Sequence, residues 1–437
     1  WSWRKAPKFF DVQTYTGNGT TQTISHNLGA TVGTLIVKKT SGAENWQVYH
    51  RSLSVSNQEK LSLNSTSAVA TNGRYFFGNN TIMVAPTSTQ FTLGQSAGTN
   101  ENGATYVAYL FAHNDGDGEF GPDADQDIIK CGSYTHSSST GNEIDLGFEP
   151  QWLLVKSSTS AIGWHMWDTM RGWSVTSQSN LQSNTSGAES TGSNTVAGYP
   201  QITNTGFRVG TNSYMGDNQT FIYMAIRRGP LAPPESGTEV FKVNTAGNPS
   251  TLPSFTSGFV TDMAINKFTT LSTPTFVQSR MQGAEYLKAD TTNAAAVANT
   301  RAWDYMDGWG ESQGTDTRNH SWMWKRAPSY FDVVAYTGNG TAGRTVSHNL
   351  GVEPEMIWFK SRNSTYSWWV YSADLGINVR AGILNENGAS GAGYSSLIFN
   401  NTSPTSSEIT LGSFAYVNGS GDTYIAYLFA TLAGISK

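Results

Sequence analysis

Charge is scarce in this chain. Only 14% of its 437 residues are charged and the formal net charge is −5, where an average soluble protein carries about 25% charged residues. A nucleic-acid binder shows a basic patch or stripe, so the composition argues against that class. It argues equally against an acidic solvating tail. Cysteine is almost absent: Cys131 is the single one, so no internal disulfide staples the fold, and it is expected as a small buried hydrophobe. Long apolar runs are missing too. The longest, residues 424–435, is broken by Thr431 and Gly434 and is too short for a spanning helix, so no membrane insertion is expected. No signal peptide is visible, but the chain opens Trp1-Ser2-Trp3 without Met, so that absence carries no weight. The seven histidines are scattered, with no H-E-x-x-H, no G-x-S-x-G and no metal-spaced His/Cys set. No catalytic residue, metal ligand or cofactor is therefore expected, and the chain is not read as an enzyme.

What is abundant is glycine, at 45, and aromatic residues, at 12% with 14 Trp. Such a chain can bury a core, so disorder by composition is excluded. The sequence also repeats itself. Residues 1–29 and 322–351 nearly coincide, and Thr105-Tyr-Val-Ala-Tyr-Leu-Phe-Ala112 returns as Thr423-Tyr-Ile-Ala-Tyr-Leu-Phe-Ala430. An eleven-residue unit ending in Lys occurs at 28–38, 146–156 and 350–360, with a fainter copy at 258–267. In all four a Gly precedes the Lys by nine residues, and in three a Trp follows it by eight: Trp46, Trp164 and Trp368. Fixed-period self-similarity marks a repeat architecture, here in the order A-B-C-A. Residues 1–7 match 322–328, which close module C, so the chain is expected to open on the last strand of a preceding module.

Each module reads as all-β. Short runs of Val, Ile, Tyr, Phe, Trp and Thr alternate with Gly, Asn and Ser. Antiparallel β-sandwiches of about 100 residues fit the spacing, so the expected fold is a tandem array of such modules. The divisions are 1–7 as a stray strand, 8–114 as module A, 115–127 as an acidic linker, 128–228 as module B, 229–238 as a Pro-rich linker, 239–325 as the diverged module C, and 326–437 as a second A. The Asn-Gly pairs at Asn18 and Asn339 predict type I′ hairpins. The strand at Thr105 is apolar on both faces and should be central in its sheet. Asn293 to Met306 is the one tolerable helix candidate, with a loop the better reading.

Sites that could carry chemistry are few. The acidic linker, from Asp115 to Asp127, could wrap Ca²⁺ but lacks the EF-hand frame, so a solvated linker is the expectation. Asp304 and Asp307 are the only candidates for a glycosidase carboxylate pair. His26 and His348 sit in copied Ser-His-Asn-Leu-Gly strings and read as turn hydrogen-bonders. Trp369, Tyr371, His165, Trp167 and Tyr49 share one face of the strand after the repeated Lys. If exposed, Trp167, Trp369 and Tyr371 would be the candidates to stack on sugar rings, and Trp369 with Tyr371 the candidates for an oligomer contact.

The strings around Arg326 to Gly340 and Ser347 to Ile357, the ending after Tyr424, and the stretch after Ile128 resemble repeats in tail-fibre-like structural proteins of marine bacteriophages. The resemblance implies a virion structural protein, a tail fibre or similar appendage, that reaches and binds a host surface. It implies other virion proteins and a host glycan or protein receptor as partners, and assembly as a homo-oligomer, with a trimer expected. Two alternatives stay open: a purely structural spacer or sheath, and a bacterial secreted β-repeat adhesin.

Overall fold

The structure is a computed structural model that describes residues 1–193, 199–211, 216–245, 251–269, 271–298, 301–311, 319–375, 382–386 and 395–437. The chain forms two compact units. One holds Trp1–Asp168, Ser179–Pro200 and Gly206–Arg228; the other holds Thr169–Gln178, Gln201–Thr205 and Gly229–Lys437. Apart from short exchanged segments, the first contains modules A and B and the second contains C and the repeated A.

The fold is all-β, built of antiparallel, sandwich-like modules. In the first module Phe10–Thr16, Thr105–Ala112, Val32–Lys39, Gln47–His50 and Leu61–Ser62 lie side by side in that order. Gln22–Ser25 and Gln90–Leu93 pair as a second layer. The last module repeats this order with Phe331–Thr337, Thr423–Phe429, Met356–Ser361, Trp369–Ser372 and Gly382–Ile383. The second places Ile129–Thr135, Thr220–Arg227, Pro150–Ser157, His165–Asp168 and Ser177–Gln182 in the same sequence of neighbours. The third does so with Asn319–Trp324, Met263–Phe268, Phe276–Ser279 and Glu285–Lys288. The repeated Gly-to-Lys unit therefore supplies the same inner strand of the larger sheet in each module, and the doubly apolar strand at Thr105 lies inside its sheet as its sequence requires.

Alternation sorts the side chains. Along Val32–Lys39, Leu35 and Val37 are buried in the module core, while Ile36 and Lys38 point to the outer face of the sheet. Tyr106, Ala108 and Leu110 join the core from the central strand. Leu28, Phe91 and Leu93 close it from the other layer.

Two expectations are corrected or refined. The Asn-Gly segments are not hairpins, because Phe10–Thr16 and Gln22–Ser25 belong to different layers. Gly19 takes φ +70 while Asn18 does not adopt positive φ, so no type I′ turn forms. Instead the turn crosses between layers and Asn100 clamps it. Its Oδ1 accepts from Asn18 N at 2.9 Å, and its carbonyl accepts from Gly19 N at 3.0 Å. Asn418 holds Asn339 and Gly340 in the same way, at 3.0 and 2.7 Å. The opening segment is not a strand: residues 1–5 lie outside every sheet among the described residues, and Trp3 packs against Phe10, Phe111 and Trp152.

Candidate functional site

The outer faces of the sheets are where the repeated Lys and Trp act. In the first unit Trp164 and Lys156 project from the second module onto the first. The Trp164 indole N–H donates to the Ser62 carbonyl at 2.9 Å, and Lys156 Nζ donates to the Thr66 carbonyl at 3.1 Å. Val69 N donates across to the Ser158 carbonyl at 3.0 Å. In the second unit the last module docks on the third through the same three bonds. Trp368 Nε1 donates to Lys288 O at 2.8 Å, Lys360 Nζ to Thr292 O at 3.1 Å, and Ala295 N to Arg362 O at 2.7 Å. Sheet register makes Ser62 and Lys288 equivalent, and Thr66 and Thr292 each follow four residues later. One clasp has been built twice.

Both lysines are fully buried, and burial lowers each ammonium to about 8. What holds them is carbonyl oxygen. Lys360 also donates to Tyr366 O at 2.7 Å, and Lys156 to Ser157 O at 2.7 Å. A buried donor left without acceptors costs on the order of 1–3 kcal/mol or more when charged, so the neighbouring module is part of each lysine's solvation. Trp164 and Trp368 are 2% and 0% exposed.

Around the clasp each joint is tailored. Cys131 lies against the first module, its Sγ 3.5 Å from Thr34 Oγ1 and 3.7 Å from the Ala112 carbonyl. Burial pushes its thiol up to about 12, so it acts as the small hydrophobe expected; Val333 holds its register in the last module. His50 Nε2–H donates to the Tyr223 carbonyl, 3.0 Å away, and Nδ1 accepts Ser52 N–H at 3.2 Å. In the second unit Tyr427 O–H donates to Gln282 Oε1 at 2.9 Å, and Arg362 forks onto Glu285 Oε2 at 2.8 and 3.0 Å.

Residues 6–230 and 251–437, most of the chain, match a family described as a domain of unknown function, DUF7483. The chain belongs to this family. The two matched stretches coincide with the two clasped module pairs. No curated protein and no solved structure matches it.

In this DUF7483 chain the aromatic candidates are not on a surface. Trp167, Trp369 and Tyr371 are buried, which overturns the expectation of an exposed stacking or oligomer patch. They do share one face, but it is the inner one. Trp369 packs edge-on to Phe414 and Tyr371 to Phe399, while Trp167 stacks on His165. His26 and His348 are the turn hydrogen-bonders expected: each Nδ1 accepts a backbone N–H, from Leu28 and Leu350, at 3.2 Å.

The acidic linker folds on itself. Asp127 accepts from the Gly116 and Gly118 amides at 2.9 and 3.1 Å, and Asp117 accepts from the Asp115 amide at 3.0 Å. Lys130 pairs with Asp127 and Asp115 at 3.5 and 3.7 Å. No metal-holding group of three such side chains occurs among the described residues. Asp304 and Asp307 are both exposed, and Asp307 serves through its carbonyl, accepting from Ser257 N and Gly258 N at 2.6 and 3.1 Å. No described helix is long and apolar enough to cross a membrane. Sequence reasoning found the clasp residues as a repeat but missed their job. The signal was there: Lys and Trp recur where core residues drift.

Proposed function

We propose that this chain is a structural element of a bacteriophage virion appendage, a tail fibre or similar part. Its task is to hold modules at fixed spacing and orientation, and recognition of the host is left to other parts. The observation that carries this reading is the duplicated clasp. Conserving a buried Lys and Trp at the joint while the cores diverge fits a chain whose geometry matters more than any single pocket. The interior placement of Trp167, Trp369 and Tyr371 supports the spacer role over direct glycan binding. Scarce charge and independence from disulfides suit a particle exposed to changing salt and redox conditions.

Two experiments test it. Electron microscopy of intact particles with an antibody against this chain should label an appendage along its length. Purified chain added to host cells should not compete with particles for adsorption. Label on the capsid, or no label at all, would overturn the appendage reading. Competition at micromolar chain would restore receptor binding as its role.

A further inference from the structure

The last module is clasped on one side by the third, and its sheet carries five residues buried there: Val333, Ile425, Tyr427, Lys360 and Trp368. Their counterparts in the first module are Val12, Val107, Tyr109, Lys38 and Trp46. All five are only half-buried. Trp46 still stacks on Tyr109, centroids 6.2 Å apart, as Trp368 stacks on Tyr427 at 6.3 Å. Lys38 still reaches the Glu44 carbonyl, the counterpart of the Lys360 bond to Tyr366. The same side chains are thus assembled on this head face, with no other module against them among the described residues.

The matching edge is present at the tail of the same chain. Gly382–Ile383 stands in the register of Leu61–Ser62 and of Leu287 with Lys288. Next to it in sequence Leu384 is 41% exposed, and Met356, two strands across, is 38% exposed. At the other end of the Trp369–Ser372 strand a groove of about 370 Å³ opens, lined by Glu355, Met356, Trp358, Ser372 and Phe429.

Charge says which head this edge takes. At one register position the first module has Gly33, the third Asp262 and the last Glu355. Gly33 faces Cys131, and a Cβ there would stand 2.5 Å from its Sγ. Asp262 instead meets Arg326, with Nε 3.5 Å from Oδ1, at the joint with the last module. Arg326 in turn binds the Val333 carbonyl at 3.1 Å and reaches Asp332 at 3.7 Å. Lys5 makes the same two contacts on the head face, to Val12 O at 3.4 Å and Asp11 Oδ1 at 2.5 Å. An acid at this position therefore goes with a module of the A type whose approach carries a base. Glu355 is exposed at the tail, and the head that fits it is Lys5 with Trp46.

We infer that the tail edge around Met356, Ile383 and Leu384 docks on the head face around Trp46 and Lys38 of a second copy of this chain. The indole of Trp46 closes on the Ile383 strand, and Glu355 of one copy faces Lys5 of the next. Such a contact is heterologous, and it propagates head to tail. It stands whether or not the chain belongs to an appendage.

Sedimentation velocity across a concentration series tests it. The chain should form a concentration-dependent ladder that shrinks as salt rises. Trp46→Glu and Leu384→Glu should each abolish the ladder. Mixed in equal amounts they should give dimers and nothing larger, because each retains one working end. Lys5→Glu should weaken association by about tenfold, roughly one charged contact, and Lys5→Glu with Glu355→Lys should restore it. Leu384 and Glu355 are exposed, while Trp46 is half-buried and Lys5 pairs with the buried Asp11, so thermal unfolding of each variant is measured beside the unaltered chain and only variants with a matching transition are read for association. On the unaltered chain, acylation of Lys38 should slow as the ladder grows. A chain that stays monomeric at every concentration overturns the proposal, as does a ladder untouched by these substitutions or mixed variants that fail to pair.

Discussion

Single side chains at the joints set measurable amounts of stability. Trp164 and Trp368 lose both a buried ring and an indole hydrogen bond when truncated. Trp→Ala at either should cost about 3–5 kcal/mol, read by urea denaturation of the dilute chain. Trp46→Ala removes a half-buried ring without an intermolecular partner at that dilution, and should cost about 1 kcal/mol. Equal costs at the three positions would show that the clasp does not stabilise the joint. A second residue-scale case sits in the core. Gln47 occupies the register of Trp369 and His165, and a change from Trp to Gln reads in sequence as a surface position. The structure shows otherwise: Gln47 is buried and its Oε1 accepts from the buried Lys60 Nζ at 2.9 Å. Lys60 also lies 4.1 Å over the Phe76 ring, and burial lowers its pKa to about 8. His165 solves the same problem with Asn180, 3.2 Å away. Gln47→Ala strands the ammonium and should cost about 2–4 kcal/mol, measured in the same denaturation series. A cost below 1 kcal/mol would mean the pair is solvated.

At the scale of elements, the central place of the Thr105 strand and the equivalence of the repeated Gly-to-Lys strands were legible, and the use of the sheet faces was not. Period-two alternation places Trp369 and Tyr371 together on one face, but it names the inner face only when the other is wet. Here the outer face is dry as well, because a neighbouring module covers it within each unit. Both faces then read as apolar, and nothing in the pattern separates core from joint. The Asn-Gly turn failed for a related reason: the local signal was real, but Asn100 and Asn418, far away in sequence, redirect the chain between layers. The copied Lys and Trp were visible as a repeat, while their acceptors are backbone carbonyls, which leave no mark in sequence. Gly33 shows how tightly one joint is fitted. A methyl there would meet Cys131 Sγ at 2.5 Å and the Ala112 carbonyl at 2.7 Å. Gly33→Ala should destabilise the chain by about 1–3 kcal/mol, whereas Cys131→Ser, which keeps the volume at that contact, should not reproduce the clash and should lose only what burying a hydroxyl in place of the thiol costs, about 1–3 kcal/mol when it finds no partner. Thermal unfolding checks both, and a harmless Gly33→Ala would mean the modules can part there.

At the scale of the whole molecule the two clasped pairs share a framework and differ in what titrates. His50 stands at the joint of the first unit, and Ser279 holds its register in the second. Burial, offset in part by the Tyr223 carbonyl and reinforced by Arg51 and His113, lowers the His50 pKa to about 4. Its Nδ1 is committed as an acceptor for Ser52 N–H, so protonation there replaces an attraction with a clash of donors. His113 is lowered to about 4 as well, and its Nδ1 accepts from Cys131 N at 3.1 Å across the same joint. The sign follows from linkage. With folded values near 4 and an unfolded value of 6.5, the unfolded chain binds more protons between those limits. Stability is therefore full above about pH 6.5, declines as pH falls toward 4, and has no further loss from these groups below it. For His50 the full loss is on the order of 3 kcal/mol. Denaturation at a series of pH values from 7.5 to 4 should show this decline, and His50→Ser, which copies the second unit, should flatten it. A decline that survives the substitution unchanged would move the acid sensitivity away from His50, and a flat profile in the unaltered chain would mean that the joint opens to water before its histidines charge.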